Sequence, residues 1–522
     1  MASRAPAPPV SIEVSRRGFL RRFAGTGAAT LAATGLASGV LRMPRAAAEG
    51  RVAPSQDPAL HLLRRATYGL TPESVAEVRS LGTGPWLERQ LHPERIDDSA
   101  CDALIAREFP RLQWSIREAH RREEFGWDLM FDVGVSTLAR ACWSKRQLFE
   151  VMVDFWGNHL NVTNPSDEGW DCRHDYDKNV IRKYAFGKFE DMLVASAQHP
   201  AMLKYLDNAY SNKESPNENY GRELLELHTV SVDAGYTEEE MYDSVLIMTG
   251  FGVDWDTGEF RYWKDDHATG RVKVLGFSAV NGSAANGYTV GLNYLRYLAR
   301  HPSTAKYIAT KLCTRFVSDT PPPTLVSALA QTYLAQGTAI VPVLRRLFHS
   351  PAFAASIGKK VRRPMEDVVA TVRTLGIQPD PVGRDGMDGL YWMVGDLGDA
   401  PCAWSLPNGY PDTAVAWASA GGTLGRWNSH MSLAAHWWPD ELVRPPLKSF
   451  VPTRFPATHG ALVQGLAKRL VYRTLPAVQR DAVLALVDKQ ASDPLNKQDE
   501  AVTWRLPYLI SLILDAPFHA VR

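Results

Sequence analysis

A chain of 522 residues has room for two to four ordinary domains or for one large helical body with insertions, so a substantial core is available. With 58 Lys plus Arg against 57 Asp plus Glu, it carries no global field that would draw it to nucleic acid or an anionic membrane surface. Its five cysteines are far apart and form no C-x-x-C pair, which argues against a cysteine-built zinc site or an iron–sulfur cluster.

Residues 1–48 read as a signal peptide. Ser15-Arg16-Arg17-Gly18-Phe19-Leu20-Arg21 resembles the twin-arginine export motif, a small-residue run from Ala24 to Leu41 follows it, and Ala46-Ala47-Ala48 is an A-x-A cleavage site. The expected mature protein, 49–522, is a single large helical domain, exported by the twin-arginine route to a periplasmic or extracellular location. Such export is common for proteins that load a metal or cofactor in the cytoplasm, and an oxidising compartment permits one or two disulfides. No later segment has the roughly 18–20 uninterrupted apolar residues of an integral membrane span.

Helical signals then dominate. Thr71-Pro72-Glu73-Ser74 starts a helix running towards Trp86, and periodicity continues from Asp102 to Arg121. Ser144 and Gln147 open a helix whose apolar side carries Leu148, Val151, Met152, Phe155 and Trp156, with His159 on the same side. Residues 176–198 and 200–206 read as two more helices. Thr237 to Glu240 forms a capping box for a helix ending near Thr249. The period then changes: Val253, Trp255, Phe260 and Tyr262 flank Asp256-Thr-Gly258 as a small β-hairpin insertion near 251–277, with Val272 and Val274 as a further strand. Helices return from Asn293, interrupted by the Pro407-Asn408-Gly409-Tyr410-Pro411-Asp412 loop. The expected fold class is mainly α, a large multi-helix, bundle-like body.

The polar chemistry concentrates between Ser215 and His228. Ser215, Pro216 and Glu218 spell a capped helix start, and helical spacing places Asn219, Arg222, Glu223 and Glu226 on one face of an otherwise apolar helix. Glu223 and Glu226, one turn apart, can present two carboxylates to one point. His159 is the candidate third group for a divalent metal ion, because an imidazole at the end of an apolar face needs a polar partner inside. The competing reading has His159 bonded to a backbone carbonyl and Arg222 paired at helical spacing with Glu218 and Glu226. His228 lies round the helix from Glu226 and reads as a core histidine. Asp266 and His267, on the loop after the hairpin, are candidates to close a pocket, or else an exposed tip. There is no H-E-x-x-H, G-x-S-x-G, phosphate-loop or Rossmann fingerprint.

The motifs His61-Leu-Leu-Arg-Arg-Ala-Thr-Tyr-Gly69, Phe155-Trp-Gly-Asn-His159, Pro200-Ala-Met-Leu-Lys-Tyr-Leu-Asp-Asn208, Asn217 to Thr229, His301-Pro-Ser-Thr-Ala305 and Asn408-Gly-Tyr-Pro-Asp412 together resemble the bacterial domain of unknown function numbered 1800, over roughly 58–515. The resemblance implies a mostly helical, often exported protein, encoded near a sulfatase-like partner family. Ala268 follows His267 where family members commonly carry an acidic residue, and Asp265 or Asp266 would have to substitute.

Two functions fit. One is an exported, metal-assisted hydrolase or modifying enzyme acting on an extracytoplasmic polymer or metabolite. Arg222, Glu223, Glu226, Asp266 and His267 would form its catalytic site, and His159, Glu223 and Glu226 its metal site. The other is a non-catalytic exported binding or scaffold partner of a sulfatase-like protein, with the central helix as an ion-pair hub.

Overall fold

Asp57 accepts the main-chain N–H groups of Ala59 and Leu60, and Pro58 occupies the first position where no amide hydrogen is needed, so α1 (Pro58–Ala66) begins sharply. The computed structural model describes residues 57–522, and the expected signal peptide lies outside them. Helix α1 buries Leu60 and Leu63 together with its polar residues. Arg65 donates to the Ser356 carbonyl at 2.6 Å, Arg64 to that of Val471 at 3.2 Å, and His61 Nε2 bonds the Phe353 carbonyl at 2.8 Å. The 61–69 motif is thus a clamp between distant parts of the chain. Burial pushes the His61 imidazole down to about 4, so it acts as a neutral bridge.

The fold is mainly helical, as expected. Helix α2 (Gly126–Trp143) is buried along most of its length and packs against α3 (Gln147–His159), which buries Leu148, Val151, Met152, Phe155 and Trp156. Trp156 donates to the Ala185 carbonyl at 3.0 Å, which satisfies its polar edge within the core. Ser144 does not cap α3. Its hydroxyl donates to Asp98 at 2.6 Å and accepts the Arg146 N–H at 3.0 Å, one residue short of the helix, while Gln147 donates to the Ser144 carbonyl at 2.8 Å.

The central segment departs from the expected regular helix at both ends. Helix α4 spans Glu218–Glu223 and is capped by Asn217, whose side chain accepts from the Asn219 N–H, so the start lies two residues beyond Ser215. Leu224–His228 then forms a π-helical turn, closed where the Thr229 hydroxyl donates to the Leu224 carbonyl at 2.5 Å. Wider turns of this kind change the angle per residue, so the 100° arithmetic fails beyond Glu223. Gly221 is required by packing: a Cβ there would lie 2.8 Å from Val245 Cα on α5 (Glu238–Met248). Helix α5 carries the expected Thr237–Glu240 capping box.

Two antiparallel two-stranded sheets follow. β1 (Phe251–Val253) pairs with β2 (Phe260–Tyr262), and β3 (Val272–Val274) with β4 (Phe277–Ala279). The first is the expected hairpin, and the second completes the strand expected at 272–274. Beyond them, α6 (Pro302–Phe316), α7 (Pro364–Leu375) and α8 (Ala420–Ala435) return to the helical body, with α7 packed on α8. Near the C-terminus α9 (Leu506–Leu514) also packs on α8, ahead of α10 (Pro517–Ala520). Among the described residues no helix is long and apolar enough to cross a membrane, and all five cysteines are free thiols.

Candidate functional site

The Asn408–Asp412 loop is seated on the C-terminal turn of α3. Asn161 donates to the carbonyls of Trp404 at 2.9 Å and Leu406 at 2.8 Å, and Trp404 Nε1 donates to Asn408 at 2.8 Å. Gly409 has φ of 69°, and a Cβ there would overlap the Asn158 carbonyl oxygen. A glycine is needed twice over at this position, by backbone angle and by close approach. The Tyr410 N–H then bonds Asn158 Oδ1 at 3.3 Å. Two motifs separated by some 250 residues in sequence therefore meet face to face.

Where they meet, a cavity of about 330 Å³ opens, lined by Asp154, Asn158, Tyr307, Lys311, Arg315, Arg363, Trp404, Tyr410 and Asp412. Its floor is a buried ion-pair cluster. Arg363 grips both Asp154 oxygens at 2.9 and 2.8 Å, and Arg315 pairs with Glu366 at 2.7 Å and with Asp154 at 3.3 Å. Arg522 bonds Glu366 and reaches Asp412 at 3.2 Å, while Lys360 spans Asp319 and the Asp412 carbonyl, each at 2.6 Å. Burial by itself would raise the Glu366 and Asp412 carboxyls, but Arg315 and Arg522 outweigh it and hold both below their ordinary values. Asp399 behaves oppositely: burial pushes it up to about 6 against the pull of Arg363.

Lys311 differs from the arginines around it. Its Nζ lies 3.0 Å from His159 Nδ1, and His159 Nε2 lies 3.1 Å from the His228 carbonyl. A carbonyl only accepts, so His159 carries its proton on Nε2 and offers Nδ1 as acceptor to the lysine. Burial, and then the charge of Lys311, drive the His159 imidazole well below 6.5, and it stays neutral. Burial pulls Lys311 down to about 8 despite the opposing field of Asp412. The result is an amine at the wall of a polar cavity that holds its proton more loosely than a surface lysine does and gives it up around pH 8.

The residues expected from the sequence fall in three places. His159 stands beside the cavity through Lys311, with both ring nitrogens engaged by protein groups. Glu223 and Glu226 are half-buried nearby: Glu226 adds its field to that of burial in raising Tyr307, which lines the cavity. Glu223 likewise adds to burial in raising Tyr205, whose hydroxyl donates to Ser405 at 2.9 Å. The Glu223 carboxyl is itself held up, by burial first and by Glu226 second. Arg222 lies apart on the surface, bonded to Glu218 at 3.0 Å and Glu238 at 3.3 Å. Asp266 and His267 are not brought to the cavity. The Asp266 carbonyl accepts from the Lys213 N–H, and the buried His267 contacts the Thr249 carbonyl at 2.8 Å and Asn281 at 2.9 Å. His267 therefore ties the β-hairpin to the residues around it, a core role that a loop histidine acquires when its loop folds inward.

The metal set expected from His159, Glu223 and Glu226 is also not assembled. Among the described residues, the group that places three ligand atoms within 4.8 Å of one another is Asp367, His430 and His519. A larger hollow of about 1040 Å³ lies elsewhere, between Glu73, Trp86, Cys142 and Arg373. Two of the charged groups lining it are held by protein partners: Arg373 donates to the Gly69 and Cys142 carbonyls, and Glu77 accepts from Trp86 and Arg89. The smaller cavity is the better-poised site.

Sequence reasoning missed Asp154, Lys311, Arg315 and Arg363. A signal was present for two of them. On α6, Ile308, Lys311, Leu312 and Arg315 fall at i, i+3, i+4 and i+7, so two cations share the buried stripe. Cations there need partners or a cavity.

Fold and site define a mainly helical protein with a small polar cavity resting on a buried ion-pair cluster, at the junction of two sequence motifs. The chain belongs to the family described as "Protein of unknown function (DUF1800)", whose model matches residues 61–521. No curated protein and no solved structure matches the chain.

Proposed function

We propose that this protein is an exported enzyme that hydrolyses or modifies one unit of an extracytoplasmic polymer or metabolite in the Asn408–Asp412 cavity, with Lys311 as general base. The observation that carries this reading is Lys311 held by a neutral imidazole at the cavity wall, while the neighbouring arginines are locked to carboxylates. A deprotonated amine there can remove a proton from a substrate hydroxyl or a water. Trp404, Tyr410 and Tyr307 supply flat walls, and Asp154 and Asp412 supply acceptors, which suits a polyhydroxylated unit. The volume lies at the small end of the usual ~300–1,000 Å³ range for ligand sites. Glu223 lies outside the cavity lining, and its carboxyl, held up by burial and by Glu226, is the candidate proton donor.

The test is competitive acylation of the folded chain with acetic anhydride, mapped by mass spectrometry. Lys311 is expected to label with a midpoint near pH 8, earlier than surface lysines, and Lys311→Met to abolish turnover in any substrate screen that yields activity. A Lys311 that stays unlabelled, or labels only near pH 10, would defeat the assignment.

A second reading, a non-catalytic partner of a sulfatase-like protein, is favoured by an exposed aromatic group in which Trp437 and Trp504 flank Tyr508 at 6.4 and 6.2 Å. Loss of a co-purifying partner on Trp504→Ala, with labelling of Lys311 unchanged, would move the argument to that reading.

A further inference from the structure

Helix α7 places Asp367 and Thr371 one turn apart on the face that meets α8 and the C-terminal helices. His430 of α8 and His519 of α10 converge on Asp367 there, and all three side chains are at most 4% exposed. His430 Nε2 lies 3.0 Å from Asp367 Oδ2, and His519 Nε2 lies 3.8 Å from Asp367 Oδ1. We propose that Asp367, His430 and His519 bind a structural zinc ion that fastens the C-terminal helices to α7.

Three observations support the site. Zinc bonds of about 2.0–2.1 Å at tetrahedral angles separate neighbouring ligand atoms by about 3.3 Å, and one ligand atom from each of the three residues lies within 4.8 Å of the others, so small side-chain adjustments bring them to one ion. The far nitrogen of His430 is bonded to Asp515 at 2.8 Å, which is the carboxylate–imidazole arrangement that orients a metal-bound histidine. Asp367 Oδ1 is buried and has no hydrogen-bond partner, although two guanidiniums are close at hand. Arg426 instead donates to the Arg362 carbonyl at 3.0 Å and Arg362 to the Val521 carbonyl at 3.4 Å. A buried carboxylate oxygen left open beside an imidazole nitrogen is the place for a cation.

Two imidazoles and one carboxylate suit zinc better than magnesium or calcium, which take oxygen ligands. The fourth position falls to the Thr371 hydroxyl, 3.0 Å from His519 Nε2, or to a water. Enclosure on all sides marks the role as structural, since a catalytic zinc keeps a position open to substrate. None of the three ligands lines the Lys311 cavity, and the proposal does not depend on that reading.

The experiment uses the full folded chain, stripped with a chelator and titrated with zinc. One zinc per chain is expected, with a thermal midpoint raised by several degrees, and cobalt in its place should give the intense visible bands of a tetrahedral centre. Asp515→Asn is expected to weaken zinc binding about 10- to 100-fold while leaving the stoichiometry at one. His519→Gln is expected to abolish the cobalt bands. Should the stripped wild type take up no stoichiometric zinc, the cluster is held by protons and ion pairs alone and the proposal fails. Should His519→Gln bind zinc as tightly as the wild type, the metal lies elsewhere and the proposal fails equally.

Discussion

Arg315 and Arg222 sit in comparable helical positions and meet carboxylates at comparable distances, yet they belong to different physical regimes. The Arg315 side chain is 2% exposed and that of its partner Glu366 is 3% exposed, whereas Arg222 is 37% exposed and its partner Glu238 79%. In the first case removal of one partner strands a charge where water cannot follow. In the second, solvent replaces whatever is lost. The charged strip that dominates the sequence is thus energetically minor, while the cluster under the cavity, assembled from residues 154, 315, 363, 366, 412 and 522, holds the site in shape.

The largest expected effect follows from breaking the buried side of this contrast. Glu366→Ala leaves Arg315 and Arg522 facing each other without their shared carboxylate and should cost about 3–5 kcal/mol in denaturant unfolding. The same carboxylate sets an acid limit. Its folded-state value lies below the ordinary 4.5, so its contribution is complete above that pH and is lost as the pH falls below it. A wild type whose stability is flat from pH 5 to pH 3, or a Glu366→Ala loss under about 1 kcal/mol, would show that water reaches the cluster.

Next is the junction itself. Gly409→Ala should lose roughly 1–3 kcal/mol from the left-handed backbone angle alone, with the collision against Asn158 added. Because the loop carries Tyr410 and Asp412 into the cavity wall, the variant should also shift the acylation profile of Lys311 towards that of a surface lysine. Unchanged stability together with an unchanged profile would mean that the loop is not seated on α3 in solution.

Lys311→Met tests the sign of a cost rather than of a gain. Between about pH 8 and its ordinary 10.5, the unfolded chain binds a proton at Lys311 that the folded chain does not. Folding stability of the wild type therefore rises with pH across that window, and below it the charged amine is a standing penalty. Replacing it by Met should stabilise the protein at pH 7 by about 1–2 kcal/mol, after allowance for the lost bond to His159 and for partial solvent access. The advantage should shrink as the pH approaches 10.5. A variant less stable than the wild type at pH 7 would show that the amine carries its charge there without strain, and the general-base role would go with it.

What the sequence revealed and concealed follows the same divide. Helix starts such as Thr237–Glu240, and the hairpin around Asp256–Gly258, were legible because capping and turn chemistry act within a few residues. The Asn217 cap was misplaced by two residues because Ser215, Asn217 and Glu218 offer competing local bonds. The π-turn at 224–228 was not legible at all, since its wider spacing is imposed by packing. The site was half visible. His159 was singled out and the Asn408–Asp412 loop was legible only as turn chemistry and a motif, while Lys311, Arg315 and Arg363 find their partners across more than 30 residues of sequence, and no spacing rule reaches that far. Asp266 and His267 misled because polar residues on a loop look functional until the loop is seen to fold inward.

The smallest expected effect is also the one that discriminates most sharply between the two regions. Arg222→Ala removes a bifurcated but solvent-exposed pair with Glu218 and Glu238, and such pairs contribute roughly 0–1 kcal/mol, further screened by salt. Thermal and denaturant unfolding should therefore barely move, and whatever difference exists should vanish in ~1 M salt. Neither the metal content nor the Lys311 labelling profile should respond, because Arg222 faces Glu238 rather than the cavity. If this variant instead abolished a measured turnover while stability stayed constant, the substrate would have to reach the outer face of α4, and the functional centre would pass from the buried cavity to the helix strip that the sequence first brought forward.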